Sequence, residues 1–274
     1  MSTAPTSAAA ATSSLQNLRT FRRFEIKFVV PESVAARFRE SLQPWMQPDA
    51  HSPAGGYGLE SLYYDSPDLR FYWEKIDGTL FRRKIRVRRY VNPEVPVTDA
   101  TPVWLEIKQR YDRVTQKRRV PLRLGDAVAF LDQRVRPGEA VDPVLDEVEV
   151  LVQEAGLVPT IVTGYHRTAF VGTDHEPGLR VTFDHDLYQR STDLSMTTTG
   201  PEGPLLPPGW VVIEIKVNDR LPGWLSDLIA EHGLTVTRIS KYVQAVERAA
   251  LAPPSVFHHV PIASPQPTTE SASQ

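Results

Sequence analysis

The sequence predicts an α+β domain whose strands form an antiparallel sheet, arranged either as a barrel or as a sandwich. Most candidate strands alternate polar and apolar positions and are rich in β-branched and aromatic residues. The helix-like segments between them are short, which is typical of an antiparallel sheet with attached helices. A third observation, the repeated charge on one face of several strands, favours the barrel.

The elements follow one another in a simple order. Candidate strands cover 22–30, 58–64, 80–90, 102–111, 114–122, 160–171, 178–187 and 210–218, with a further candidate at 188–196. Candidate helices cover 31–42, 66–76, 142–156, 222–233 and 240–250. Ser66 is the expected N-cap of the second helix, with Pro67 at its first helical position. Asp142 and Pro143 repeat this start in the third helix, which Gly156 is expected to end.

One domain is expected between two tails. Residues 1–17 are rich in Ala, Ser and Thr, and residues 251–274 are rich in Pro and Ser, so both ends are expected to be disordered. Residues 18–250 contain no obvious linker and are expected to form a single domain. The Gly/Pro-rich stretch 197–209 predicts a long loop between two strands.

Composition excludes several classes of protein. The chain has 274 residues, 41% of them hydrophobic, and a formal net charge of −2, which excludes a globally basic nucleic-acid binder. It contains no cysteine, so disulfides and thiolate metal sites are excluded. No apolar run approaches the roughly 20 residues needed to span a bilayer, and the N-terminus lacks the pattern of a secretory signal. A cytoplasmic location is therefore expected.

Three segments repeat the same tripeptide at strand spacing: FEIKF, LEIKQ and IEIKV. Alternation places their Glu and Lys residues on one face and their apolar residues on the other. Five candidate strands have such a charged face. Strand by strand, it carries Glu25 and Lys27; Lys84, Arg86 and Arg88; Glu106, Lys108 and Arg110; Arg180, Thr182 and Asp184; and Glu214 and Lys216. A single strand of this kind usually presents its charges to water. Five of them favour a barrel with a charged lumen, which needs an anionic ligand because buried cations are unfavourable alone.

The segment FRRKIRVRRY (81–90) is the most basic of these strands. It contains five Arg and one Lys in ten residues. Arg presents a rigid fork to phosphate oxygens and stays charged at any relevant pH. The alternative is a solvated edge strand that attracts nucleic acid, and Arg82, Arg83 and Arg89 fit that interpretation because they leave the alternating pattern.

The chain resembles the VTC domain family, the polyphosphate polymerase domains of the CYTH, or triphosphate tunnel metalloenzyme, superfamily. The resemblance is carried, in family order, by FEIKFVVP, SLYYDS, KIRVRRY, WLEIKQR, GYHRTAF, LRVTFDHDL, VVIEIKV and ISKYVQAVE. It implies an eight-stranded antiparallel barrel, a tunnel lined with Lys, Arg and Glu. It also implies that the tunnel holds a triphosphate or polyphosphate with a divalent metal, Mn²⁺ or Mg²⁺.

The resemblance assigns roles to individual residues. It implies that the phosphate-binding and catalytic cations are Lys27, Arg86, Arg88, Arg167 and Arg180. It implies that further substrate contacts come from Lys108, Lys117, Lys216, Arg238 and Lys241, with Glu214 as the metal ligand. Lys216 is equally a candidate partner of Glu214, and Arg238 stands where the eukaryotic pattern tends to have lysine.

Other polar residues are assigned less prominent roles. Glu25 and Glu106 are expected to pair with neighbouring cations rather than bind metal. Asp184 is expected in the lumen and His185 on the opposite face. Tyr63 and Tyr64 are expected to serve packing.

The function expected from these features is metal-dependent transfer of the terminal phosphoryl of ATP, or of another nucleoside triphosphate, to a polyphosphate chain. Such transfer depends on charge neutralisation and positioning, and the sequence contains neither a phosphate-binding loop of the G-x-x-x-x-G-K-[ST] type nor a G-x-S-x-G elbow. Inorganic triphosphate hydrolysis and non-catalytic polyanion binding remain open alternatives, and nucleic-acid binding is the least favoured. The eukaryotic relatives carry membrane helices, so a separate membrane-protein partner is a further expectation.

Overall fold

The computed structural model describes residues 24–50, 52, 55–112, 114–138, 141–173, 176, 178–198, 200–218 and 220–255. The predicted tail 1–17, and residues 256–274 of the predicted tail 251–274, lie outside these residues. The predicted limits of the domain at 18 and 250 therefore stay predictions.

One antiparallel sheet of ten strands forms the centre of the α+β fold. The strands are β1 (Phe24–Pro31), β2 (Met46–Pro48), β3 (Tyr57–Asp65), β4 (Phe81–Val91), β5 (Pro102–Tyr111), β6 (Val114–Arg123), β7 (Val158–Gly172), β8 (Arg180–Arg190), β9 (Gly203–Pro204) and β10 (Trp210–Val217). All eight long strands were predicted; the further candidate strand at 188–196 was wrong, because residues 188–190 are the end of β8 and the strand stops at Arg190. The short β2 and β9 were missed.

The sheet is strongly curled but is not closed by backbone pairing in the part of the chain that the structure describes. Its strand order is β1-β10-β8-β7-β3-β4-β5-β6, with β2 paired to β7 and β9 paired to β8. The edge strands are thus β1 and β6, and closure of the predicted barrel is not confirmed. Curling nevertheless brings Lys108 of β5 within 3.2 Å of Glu25 on β1, although six of the strand-to-strand steps separate these two strands. We call the concave charged face that these side chains share the bore.

Helices cover the convex apolar face, except that the last one packs against residues of the concave face such as Tyr63 and Tyr165. They are α1 (Glu32–Leu42), α2 (Arg70–Ile76), α3 (Leu124–Asp132), α4 (Pro143–Ala155), α5 (Gly223–Glu231) and α6 (Lys241–Arg248). Leu105 and Ile107 of β5 pack with α3 and α4, whereas Phe183 and Ile213 pack with α1 and α5. No helix among the described residues has the length and apolarity required to cross a membrane.

Two details of the helices differ from the prediction. Helix α3 was missed. Helix α2 begins at Arg70, not at Pro67, because the carboxylate of Asp65 accepts hydrogen bonds from the backbone N–H groups of Phe71 and Tyr72 and so caps the helix from outside. The start of α4 is confirmed, since the Asp142 side chain accepts from Val144 and Leu145 N–H, and Gly156 ends that helix with φ of 59°.

Asp65 also fixes helix α6 beside the bore. Its Oδ2 accepts a hydrogen bond from the hydroxyl of Tyr242, and Asp65 itself is fully buried. Tyr242 lies next to Lys241 and two residues after Ser240, the N-cap of α6. One buried carboxylate therefore sets the position of both α2 and the start of α6, which faces the bore.

Candidate functional site

Opposite charges face one another across neighbouring strands of the bore. Lys27 lies opposite Glu214 in the register of β1 and β10, and Glu25 lies opposite Lys216. Arg86 lies opposite Glu106 in the register of β4 and β5. The alternation seen in the sequence therefore places these side chains on one face, as predicted, and the strand register pairs them.

Glu214 is the centre of the ion-pair network. Its Oε1 lies 2.9 Å from Nζ of Lys241 and 3.1 Å from Nζ of Lys27. Its Oε2 lies 3.2 Å from Nη2 of Arg167 and 3.5 Å from Nζ of Lys216. Burial alone would raise the pKa of Glu214, but the four cations hold it well below its usual range. The carboxylate is therefore ionised at neutral pH.

Asp184 adds a second buried carboxylate next to Glu214. Both of its oxygens accept from the guanidinium of Arg167, at 2.5 and 2.7 Å, and its Oδ2 lies 2.5 Å from Nζ of Lys241. Despite complete burial, which raises its pKa, Arg167 and Lys241 lower the pKa of Asp184 below its ordinary value. Arg167 and Lys241 are thus shared by the two carboxylates.

A separate group forms around Glu106 on β5. This fully buried carboxylate lies 2.6 Å from Nη2 of Arg86 and 2.6 Å from Nζ of Lys117. Arg86 also donates a hydrogen bond to the hydroxyl of Tyr63, at 2.9 Å. Burial raises the pKa of Glu106, but Arg86, Arg88 and Lys117 outweigh it and lower the pKa to about 2. Like Glu25, which pairs with Lys108 and Lys27, Glu106 pairs with cations, as expected.

Some bore cations have no carboxylate within ion-pair distance among the described residues, and Arg88 and Lys84 are two of them. The guanidinium of Arg88, only 9% exposed, donates to Ser61 Oγ and to the Tyr165 hydroxyl, each at 3.0 Å. The ammonium of Lys84 donates to Ser240 Oγ at 2.6 Å. Burial, reinforced by Lys108 and Lys27, lowers the pKa of Lys84 well below its usual range. Both groups are held in place by neutral oxygens, so an anion could pair with the charge of Arg88 and would raise the pKa of Lys84 again.

Lys216 on β10 also has a lowered pKa. Burial lowers the pKa of Lys216 to about 8, because the opposing attraction of Glu214 and Glu25 is too weak to offset it. A bound anion would raise this pKa again and draw a proton from solvent.

Arg180 and Arg238 are the remaining predicted residues, and only Arg180 lies in the bore. Arg180 lies 2.6 Å from Asp49 and donates to the hydroxyl of Tyr57, at 3.3 Å. Arg238 is exposed, in the segment before α6, and is one of the cations that lower the pKa of Lys75 to about 8, after burial, Arg82 and Arg110. The structure thus brings ten of the eleven predicted residues into the bore or its edge, with Arg238 outside the ion-pair network of the described residues.

Three arginines set aside in the sequence have definite places. Arg82 faces the bore, paired in register with Arg110. Arg83 contacts Glu74 of α2. Arg89 lies on the convex side, 3% exposed, with its Nη2 2.5 Å from the fully buried Glu60. The interpretation of Arg89 as a solvated residue was wrong, because a buried carboxylate on the neighbouring strand pairs with it.

Several bore residues were not found in the sequence. Tyr63, expected to serve packing, directs its hydroxyl to Arg86, which lowers the pKa of Tyr63 against the effect of burial. The ring of Tyr165 lies 4.6 Å from Nζ of Lys241, and its hydroxyl accepts from Arg88. Tyr165 lies two residues from the predicted Arg167 on β7, so alternation could have identified it, whereas no bore position was predicted on β3, the strand of Tyr63. His185 lies on the convex side, 3.0 Å from Glu32, as expected.

The carboxylates fit a Mg²⁺ or Mn²⁺ ion of the kind that is held partly by substrate. No group of three or more acidic, His or Cys residues with metal-binding geometry occurs among the described residues. Mg²⁺ commonly uses one or two carboxylates and completes its octahedron with phosphate oxygens and water. Glu214 and Asp184 are ionised, adjacent and surrounded by Lys and Arg side chains, which matches that donor set.

The sequence matches the model of a known protein family. The VTC domain model matches residues 22–250. No curated protein matches the chain significantly. Similar solved structures include a "putative adenylate cyclase" from Bacillus halodurans (TM-score 0.49, 10% identity, 80% of this chain and 94% of that one). A protein of the same description from Vibrio parahaemolyticus has a TM-score of 0.44 at 10% identity, over 82% of this chain and 97% of that one.

The PH1819 protein from Pyrococcus horikoshii OT3 is a third similar structure, with a TM-score of 0.42 at 15% identity, over 82% of this chain and 99% of that one. All three TM-scores are below 0.5. The family assignment therefore rests on the sequence match over residues 22–250 alone.

Proposed function

This chain belongs to the VTC domain family, and we propose that it is a metal-dependent polyphosphate polymerase that transfers the terminal phosphoryl of ATP to a phosphate chain in the bore. The observation that carries the proposal is the pair of cations, Arg88 and Lys84, that face the bore without a carboxylate partner among the described residues.

A polyanion is the ligand that this arrangement favours. A buried cation without a counter-ion is unfavourable, and the lowered pKa of Lys84 reflects that cost, so a site that keeps Arg88 and Lys84 without carboxylate partners is organised for an anion. The unpaired cations lie on one strand with Arg86 between them, at spacings of about 6.6 Å along β4. A single phosphate could not reach all three positions, whereas a chain of phosphates could contact each in turn.

The proposed reaction needs no nucleophile from the protein. A terminal oxygen of the bound chain attacks the γ-phosphorus of ATP, the bond from that phosphorus to the β–γ bridging oxygen breaks, and ADP leaves with the electron pair. Arg86, Arg88 and Arg167 would hold the non-bridging oxygens, Arg180 would hold those nearer its end of the bore, and lysines such as Lys27 would hold the neighbouring phosphates. A divalent cation held by Glu214 and Asp184 would supply further neutralisation of the phosphate charge.

The bore carboxylates are poor bases for hydrolysis, whereas Lys216, with a pKa of about 8, meets the requirement for one. Hydrolysis requires a group that takes a proton from water, and a good general base has a pKa near the working pH. Glu106, Asp184 and Glu214 all have pKa values held below the ordinary range. A chain-end phosphate is already an anion and needs no such base.

The direct test is incubation of the purified protein with ATP and MnCl₂, followed by gel electrophoresis of the phosphate products. We expect chains much longer than triphosphate, and no chains with an Arg88→Gln variant. If orthophosphate were the only product, the protein would be a phosphohydrolase and the proposal would be wrong. Binding of triphosphate with no turnover would replace it by a non-catalytic module.

The affinity for triphosphate should fall as the pH rises from 7 to 9. The free protein loses the proton of Lys216 near pH 8, and the bound anion must restore it, so linkage predicts about a tenfold loss from this one group. Calorimetric titration at pH 7, 8 and 9 measures the slope. Lys216→Gln should bind more weakly at pH 7 and show a flatter profile; parallel profiles would contradict the assignment of the slope to Lys216.

A further inference from the structure

Three aromatic side chains lie at one end of the bore, and we call them the aromatic rim: Tyr57, Tyr90 and Trp104. The rings of Tyr57 and Tyr90 are 5.5 Å apart with an interplanar angle of 44°. The guanidinium of Arg119 lies over the ring of Trp104, 4.0 Å from the ring centroid. Tyr90 is 53% exposed, and neither it nor Trp104 belongs to a hydrophobic cluster of the described residues. The burial of core surface thus does not explain these two rings.

Strand β4 shows that the rim continues the row of cations. Alternation places Arg82, Lys84, Arg86, Arg88 and Tyr90 on the same face, with about 6.6 Å between successive positions. Tyr90 is therefore the next residue of β4 after Arg88 that faces the bore. Trp104 is the register partner of Arg88 on β5. The aromatic rim therefore lies directly beside Arg88, whose guanidinium has no carboxylate partner among the described residues.

The other end of the same row is purely cationic. Arg82 is paired in register with Arg110, and both act on Lys75, as does Arg238. An extended ligand that occupies the row therefore meets cations at one end and aromatic rings at the other. Such polarity suits a molecule with a phosphate chain at one end and an apolar, planar group at the other.

Contacts of Tyr57 tie the rim to the phosphate-binding cations. Tyr57 lies opposite Arg167 in the register of β3 and β7, and its hydroxyl accepts from Nη2 of Arg180. A triphosphate held by Arg88, Arg167 and Arg180 would thus have its next group within reach of the rings. In a nucleoside triphosphate that next group is the ribose with its base.

We propose that the aromatic rim binds the base of the nucleoside triphosphate donor, so that the nucleoside enters at the Tyr90 end and the phosphate chain extends toward Arg82. This inference rests on the proposed function. Base–aromatic stacking tolerates every base because each has a π-face. The larger purine rings cover more of Tyr90 and Trp104, so ATP and GTP should bind more tightly than CTP and UTP.

The test compares a ligand that has a base with one that lacks it. ATP and inorganic triphosphate are titrated calorimetrically into the wild type, a Tyr90→Ala/Trp104→Ala double variant and a Tyr111→Ala control. Tyr111 is an exposed tyrosine at the opposite end of β5. In the double variant we expect the affinity for ATP to fall by about tenfold or more, the effect of losing base stacking, with the affinity for triphosphate unchanged. Tyr111→Ala should match the wild type for both ligands.

The outcomes separate this inference from the proposed function. Equal affinity of the wild type and the double variant for ATP would overturn the inference and leave triphosphate binding intact. Failure of the wild type to bind either ligand would overturn both. Unchanged binding of triphosphate by the double variant also shows that this variant is folded; loss of both ligands in a variant that melts like the wild type would assign the rings to the phosphate site and overturn the inference.

Discussion

Replacement of Arg88 by Gln is expected to weaken the binding of inorganic triphosphate by on the order of a hundredfold. The guanidinium can offer two charge-assisted hydrogen bonds to a phosphate, which together contribute about 3 kcal/mol. Because Arg88 has only neutral partners, Ser61 and Tyr165, its removal should leave the free energy of unfolding of the ligand-free protein unchanged or slightly higher. Calorimetric titration and urea denaturation measure the two quantities.

Arg89 provides a matched control on the same strand. It follows Arg88 directly but faces the convex side and pairs with the buried Glu60. Arg89→Gln should lower the free energy of unfolding by about 3 kcal/mol, because it leaves a buried carboxylate unpaired, while the folded fraction binds triphosphate normally. If Arg88→Gln were destabilised and bound triphosphate normally, Arg88 would be a structural residue and the proposed function would lose its main support.

The contrast between Arg88 and Arg89 also shows what the sequence could predict. Alternation in FRRKIRVRRY separates the two faces of the strand, and so it placed Arg86 and Arg88 in the bore correctly. The pattern could not show that Glu106 neutralises Arg86 and that Arg88 has no such partner. That difference depends on the register of β4 against β5 and on the curling of the sheet, which are non-local.

The same limit applies to the fold. The strands were predictable because each carries a local period of two, whereas closure of the sheet depends on how far the whole sheet curls. Helix α3 escaped prediction because Leu124 follows Arg123, the last residue of β6, with no connecting loop, and the helix is only nine residues long. Arg82 and Arg89 were misjudged because both were read as leaving the alternating pattern, although Arg82 shares a face with Lys84 and Arg89 pairs with Glu60 on the other face.

Glu214→Gln is expected to lower the stability of the protein about as much as Arg89→Gln. The substitution keeps the shape of the side chain but removes the charge that Lys241, Lys27, Arg167 and Lys216 share. Loss of the anion from a buried pair costs about 3–5 kcal/mol, so the free energy of unfolding should fall by roughly 3 kcal/mol at pH 7. Glu149→Gln, a change in an exposed ion pair on α4, should alter it by less than about 0.5 kcal/mol.

The pH dependence of this loss follows from the lowered pKa of Glu214. A carboxylate with a depressed pKa in the folded state stabilises the protein fully above its unfolded value of about 4.3, and this contribution is lost as the pH falls toward the folded value. The difference between the wild type and Glu214→Gln should therefore be constant from pH 7 to about pH 5 and should narrow below about pH 4.

Triphosphate should stabilise Glu214→Gln more than it stabilises the wild type, because a polyanion can replace the missing carboxylate among the same four cations. Thermal unfolding with increasing triphosphate, without added metal, measures this difference. The same variant should form no polyphosphate from ATP with Mn²⁺, since the carboxylate proposed to hold the metal is gone. If the variant were as stable as the wild type and gained no more from triphosphate, Glu214 would not balance the charge of the bore. The idea that a polyanion can take the place of this carboxylate among the four cations would then be wrong.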